Sequence, residues 1–185
     1  MNDLTENETA PGFDAPLDML RACHERIMDQ CATLHKLLQH LPTHGCDAQA
    51  RQSAQAILSY FDKAGQSHHD DEENHLFPLL RAAHNDEADA LIQRLLDEHH
   101  LMDAQWLRLH PQLQRIAEGQ STTLERSLVA DFSLAYGRHI MLENMKLLPL
   151  AAQLLNEKQL HDMGKKMAAR KRVLAIKNFF KVLNT

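Results

Sequence analysis

His68-His69-Asp70-Asp71-Glu72-Glu73-Asn74-His75-Leu76-Phe77-Pro78 and His139-Ile140-Met141-Leu142-Glu143-Asn144-Met145-Lys146-Leu147-Leu148-Pro149 carry one pattern twice. Each opens on a histidine, places a glutamate four residues on and reaches a proline ten residues after the histidine. Residues four apart on a helix share a face, one turn above the other. Two helices that turn such faces toward each other form a set of ligands able to hold two metal ions between them.

Working outward, apolar residues fall three and four apart for long distances. Residues 1–15 read as a flexible tail, and Asp14 or Pro16 opens the first helix. Its seam runs through Leu17, Leu20, Ile27, Cys31, Leu34, Leu38 and Leu41, with His24 on the same stripe. Pro42 and Gly45 break it, and Asp47 is placed to cap the next. The second helix is expected over about 48–83, with seam Ile57, Phe61, Ala64, His68, Glu72, Leu76 and Leu79, bent near Pro78. The third is expected over 86–117, with seam Ile92, Leu95, His99, Met102, Trp106 and Leu109 and a kink at Pro111. The fourth is expected over about 122–155, with seam Leu128, Phe132, Ala135, His139, Leu142, Leu147, Leu150 and Leu154 and a bend at Pro149. Short connections between long amphipathic helices predict an all-α, up-down-up-down four-helix bundle over 16–157. Residues 158–185 form an extension. After Gly164 it carries Lys165, Lys166, Arg170, Lys171, Arg172, Lys177 and Lys181 and no acidic residue, the pattern of a basic amphipathic helix laid on the bundle.

Composition agrees. The chain of 185 residues has room for one domain with a sizeable core, and six glycines and six prolines are too few for a sandwich or barrel. A net charge of −5 gives no general attraction to nucleic acid. No apolar run approaches the ~20 residues of a membrane span, and the polar, acidic start is unlike a signal peptide. Cys23, Cys31 and Cys46 form no CxxC pair, which suits free thiols in a reducing cytoplasm.

The seam histidines matter only if they share a level. Counted from the joint between helices one and two, His24 lies about 17 residues below and His68 about 21. From the joint between three and four, His99 lies about 19 residues away and His139 about 17. At about 1.5 Å per residue, all four fall within about 6 Å in height. Glu72 and Glu143 sit one turn away on the same faces, where each can bridge two metals. Burying four imidazoles and two carboxylates without a cation would cost several kcal/mol per unpaired charge. The proline spacing and the seam through Phe61 favour His68 with Glu72; His69 with Glu73 is the alternative. His99 lies on the seam, and His100 is turned about 100° away. His44, about 25 Å from this level, is excluded. His35, His40, His75, His84, His110 and His161 are expected at the surface or at helix ends. Asp103, one turn past His99, reads as a residue that supports a ligand from behind, with an extra ligand or a solvated residue as the alternatives; the same readings hold for Asp70, Asp71 and Glu73, whose plainest one is a solvated acidic face.

Four segments carry a family resemblance: RACHERI (21–27), HHDDEENHLFP (68–78), LLDEHHLMDAQW (95–106) and YGRHIMLENMKLLP (136–149). Together they resemble the hemerythrin-like, HHE cation-binding family over about 17–155, most of the chain. The resemblance implies a four-helix bundle with a non-haem, oxo- or hydroxo-bridged centre of two Fe ions. Its ligands, carried over position by position, are His24, His68, Glu72, His99, His139 and Glu143. The oxygen-carrying hemerythrins resemble a five-histidine, two-carboxylate site with a histidine where this chain has Asp103, and with an aspartate five residues after the last histidine. The set here is more similar to that of bacterial HHE and iron–sulfur-repair di-iron proteins, although the short tail has no room for the cysteine domain that usually precedes the latter.

Imidazole and carboxylate ligands suit iron or manganese better than a soft-metal site, and six ligands suit two metals better than one tetrahedral zinc. Two histidines per ion leave positions for O2, NO, peroxide or water, in a pocket expected to be walled by Met102, Leu142 and Trp106. The expected function is a metal-binding protein without classical turnover that binds or senses a small diatomic or handles iron. The alternatives are a redox enzyme for peroxide, NO or cluster repair, and a metal-free interaction module. The basic tail could also meet a redox partner, an acidic protein or a membrane surface.

Overall fold

The computed structural model describes residues 12–183, and their side chains as far as Arg170. Most of the tail expected over 1–15 lies outside the described residues, as do the side chains of Lys171, Arg172, Lys177 and Lys181.

The three-and-four spacing is realised as five long helical runs. The first is Pro16–His44, with proline in its opening turn, where the missing N–H costs nothing. Its buried face includes Leu20, His24, Ile27, Cys31, Leu34, Leu38 and Leu41. Gly45 ends it at a φ of 66°, a left-handed conformation that a side chain would strain. Asp47 then caps the second run by accepting from the Ala50 N–H at 2.8 Å. Asn85 caps the third, Asp86–Ala117, by accepting from the Ala88 N–H at 2.9 Å. Asn156 and Gln159 cap the fifth, Glu157–Leu183, reciprocally: each side chain accepts from the other's backbone N–H.

The second and fourth runs are composite. The second passes through Ala48–Tyr60, a π-helical turn at Phe61–Gly65, Gln66–Asp71, a second π turn at Glu72–Leu76, and Phe77–Arg81. The fourth passes through Arg126–Leu142, a π turn at Glu143–Leu147, and Leu148–Leu154. The sequence repeat is thus a structural one, since Glu72 and Glu143 each begin a π turn that ends just before Phe77-Pro78 or Leu148-Pro149. Proline has no N–H to give and its ring presses on the carbonyl four residues back. A widened turn ahead of it accommodates both, and π turns of this kind gather at functional sites. Pro111, by contrast, lies within one unbroken α-helix.

Two boundaries differ from expectation. The second run leaves its helix at Arg81, and His84 takes a φ of 52° in the turn that follows. The fourth begins at Arg126 rather than at 122. Residues 121–125 satisfy their backbone by other means. Ser121 Oγ accepts from the Thr123 N–H at 3.0 Å, and Gln112 Oε1 accepts from the Glu125 N–H at 2.8 Å.

The first helix packs on the second and fourth runs, and the third packs on the same two, which closes a helical bundle around one interior. Two apolar clusters fill it. One gathers Ile27, Leu34, Ile57, Phe61, Met102, Leu109 and Phe132; the other gathers Leu20, Leu76, Phe77, Ile92, Leu95 and Leu147. His24 lies in sequence between Leu20 and Ile27, and His99 between Leu95 and Met102, so a polar layer separates the clusters.

The fifth helix lies against the first and against Glu72–Leu76. Two features dock it. Gly164 passes the backbone of Phe13 so closely that a Cβ there would overlap the Phe13 carbonyl. Gly164→Ala is expected to destabilise the protein by about 1–3 kcal/mol, read as a lower denaturant midpoint. Further along, Arg170 Nε donates to Asp71 Oδ1 at 2.9 Å, and its Nη2 meets Oδ2. Asp71 is buried, so the solvated acidic face expected there fails at this position, while Asp70 stays exposed. Burial raises the Asp71 carboxyl above its usual range, against the pull of Arg170. Arg170→Ala removes charge-assisted hydrogen bonds from a buried acid directly ahead of Glu72. It is expected to cost about 1.5–3 kcal/mol in the same denaturation measurement.

No helix among the described residues is long and apolar enough to cross a membrane.

Candidate metal centre

His24 comes from the first helix, His68 and Glu72 from the second, His99 from the third, and His139 and Glu143 from the fourth. The structure brings all six together, each no more than 2 % exposed. Each carboxylate divides its two oxygens between two histidine pairs. Glu72 Oε1 lies 3.3 Å from His68 Nε2 and 3.9 Å from His24 Nε2, while its Oε2 lies 3.5 Å from His99 Nε2. Glu143 Oε2 lies 3.0 Å from His24 Nε2, while its Oε1 lies 3.3 Å from His139 Nε2. The Nε2 atoms of His99 and His139 are 3.2 Å apart. Two groups of four ligand atoms result, His24–His68–Glu72–Glu143 and His99–His139–Glu72–Glu143, which share both glutamates.

These atoms converge without satisfying one another. Both oxygens of Glu72, both of Glu143, His24 Nε2 and His68 Nε2 are buried and aligned with no hydrogen-bond partner. Buried polar atoms are ordinarily paired, and so many orphans around two points fit cations better than they fit a protein interior.

The outer ring nitrogens are held from behind. His24 Nδ1 meets Asn144 Oδ1 at 2.8 Å, His99 Nδ1 meets Glu73 Oε1 at 2.6 Å, and His139 Nδ1 meets Glu98 Oε2 at 3.1 Å. An acceptor on Nδ1 keeps the proton there and leaves Nε2 a lone pair for a metal. Glu73 therefore supports His99, and it is not in either four-ligand group. Asn144 and Glu98 escaped the sequence reading. Their only signal is adjacency to Glu143 and His99, which a solvent-facing residue would show equally.

Asp103 is exposed and lines a cleft with Phe61, His69, Trp106 and Tyr136. It belongs to no ligand group among the described residues. His100 is exposed. His40 bonds the Asp47 cap at 3.0 Å and stacks on His44 at the bundle end, and His110 lies 3.3 Å from Asp62. Met102 is buried in one apolar cluster with Trp106 packed on it, and Leu142 packs on the other.

The ionisation of the site follows from its charges. Burial alone lowers His24 and His139, but the glutamates outweigh it and raise them to about 9 and about 10. His99 is raised in the same way, chiefly by Glu72. His68 falls to about 4 because burial wins there, and His69 falls well below the usual range. Glu72 and Glu143 are lowered against their burial by the surrounding histidines. The signs give a prediction for protein stripped of metal by chelator. His24 and His139 hold protons more tightly when folded, so their contribution is complete below 6.5 and is lost as pH rises toward 9 and 10, and His99 is shifted in the same direction. His68 resists protonation when folded, so stability is also lost as pH falls from 6.5 toward 4, and His69 is shifted in the same direction. Denaturation midpoints measured from about pH 5 to about pH 10 are expected to peak near 6.5 and to fall on both sides.

Comparison with known proteins agrees with the geometry. The model of the hemerythrin HHE cation-binding domain matches residues 15–151. An uncharacterized protein of Haemophilus influenzae is 33 % identical over 162 residues, which is 87 % of this chain and 92 % of that one. The chain belongs to the hemerythrin HHE cation-binding domain family.

Proposed function

We propose that this protein is a hemerythrin-like di-iron protein that binds or senses a small diatomic, O2 or NO, or handles iron, with four antiparallel up-down-up-down helices supplying the ligands. The observation that carries the proposal is the sharing of Glu72 and Glu143. Each presents one oxygen toward the His24 side and the other toward the His99–His139 side. Two carboxylates oppose the charge of two divalent ions, and the donor set of imidazole and carboxylate suits iron. His24, His68, His99 and His139 would hold the ions from four sides. A pair of irons supplies positions for a small ligand and reversible one-electron chemistry.

The protein's own part is to orient and to exclude water. Asn144, Glu73 and Glu98 fix three of the imidazoles. The apolar clusters above and below keep bulk solvent away from the site.

The test is spectroscopic. Iron-loaded protein, reduced without oxygen, is exposed to O2 and to NO in separate cells. A reversible absorption band with either gas is the expected result. Irreversible oxidation by O2, together with steady consumption of NO or peroxide, would move the assignment to a redox enzyme.

A further inference from the structure

The fifth helix brings no residue to the two four-ligand groups, yet it grips the chain directly ahead of one ligand. Asp71 precedes Glu72, and Glu72 opens the π turn that runs to Leu76. The fifth helix lies against this turn. Its Arg170 takes both oxygens of Asp71: Nε donates to Oδ1 at 2.9 Å and Nη2 donates to Oδ2. Two bonds from a planar fork fix a carboxylate in direction as well as in place. Asp71 is 7 % exposed, so water competes little for it. At the other end of the turn, Met163 and Met167 of the fifth helix are buried in the apolar cluster that contains Leu76 and Phe77. One helix thus meets the turn twice, by an ion pair where it starts and through shared apolar packing where it ends. The turn in question aims Glu72, whose Oε1 faces His68 and His24 and whose Oε2 faces His99.

We propose that Arg170 is a positioning residue of the metal centre: through Asp71 it fixes the Glu72–Leu76 turn, so that Glu72 faces both sides of the site. The inference rests on the di-metal reading above and adds a coupling to it. Coupling in binding is reciprocal, so metal must in turn tighten the fifth helix, which supplies no ligand.

Arg170→Ala separates this role from simple docking of the helix. Removing a cation and leaving Asp71 as a bare anion should, by charge alone, favour a dication nearby. Loss of aim acts in the opposite direction. The whole protein is titrated with Fe(II) without oxygen against a competing chelator. The variant is expected to bind the second equivalent about tenfold more weakly than the parent, the lower end of what residues behind a ligand contribute. Arg170→Lys keeps the charge without the fork and is expected to fall between the two. Both equivalents bound by the alanine variant as tightly as by the parent, or more tightly, would overturn the proposal and leave the di-metal reading intact. A parent that binds no second equivalent would instead defeat that reading. Hydrogen exchange of the unaltered protein, with and without iron, needs no variant. The amides of 157–170 are expected to gain more protection on loading than those of Ala48–Tyr60, which also supplies no ligand. An equal or smaller gain would overturn the proposal.

Discussion

Glu143→Gln protein is expected to hold at most one metal ion per chain, with affinity for the second lowered on the order of 100-fold or more, since the loss of residues behind a ligand already costs about 10–100-fold. Among the described residues Glu143 is the only carboxylate within 3.5 Å of both His24 and His139, facing the first with Oε2 and the second with Oε1. An amide keeps the shape and one oxygen, but it turns an N–H2 toward one of the two ring nitrogens. It also leaves two dications facing a single carboxylate. The fold should survive, because the side chain is replaced by one of equal size and the apolar clusters are untouched. Metal analysis after gel filtration, with circular dichroism on the same sample, separates loss of metal from loss of structure. Two ions retained in a folded variant would show that Glu143 does not bridge.

Metal loading should stabilise the protein more than any substitution removes. Each ion that binds only the folded chain contributes about 4 kcal/mol when present at about a thousand times its dissociation constant. Two ions give about 8 kcal/mol, and in a domain of this size each kcal/mol moves the melting temperature by about 2–4 °C. The loaded protein should therefore melt at least about 15 °C above the chelated one, and a chelator should reverse the shift. The orphaned oxygens of Glu72 and Glu143 are the structural reason. A difference under about 3 °C would mean that the cluster does not depend on metal.

What the amino-acid sequence discloses follows from the range of each interaction. Helix period and capping are local, so the run 86–117, the cap at Asp47 and the six clustered side chains can be read directly. The repeat of histidine, glutamate and proline even marks two of the three π turns among the described residues, although a bend alone is the natural expectation from Pro78 and Pro149. Interactions between distant helices leave no local trace. Asp71 looks like one of several solvated acids until Arg170, 99 residues later, closes on it. Glu98 and Asn144 look like surface residues until His139 and His24 arrive from other helices. His69 shows the limit most plainly. Periodicity can choose His68 or His69 for one seam, but only the closed bundle shows that both point inward, toward different partners.

The central claim is that two metal ions share Glu72 and Glu143. Protein purified without chelator and analysed for all transition metals tests it most directly, with an optical spectrum before and after reduction. About two irons per chain, with a bridged di-iron absorption that bleaches on reduction, is the predicted result. Less than about half an equivalent of iron, or a single zinc held without any change on reduction, would contradict it.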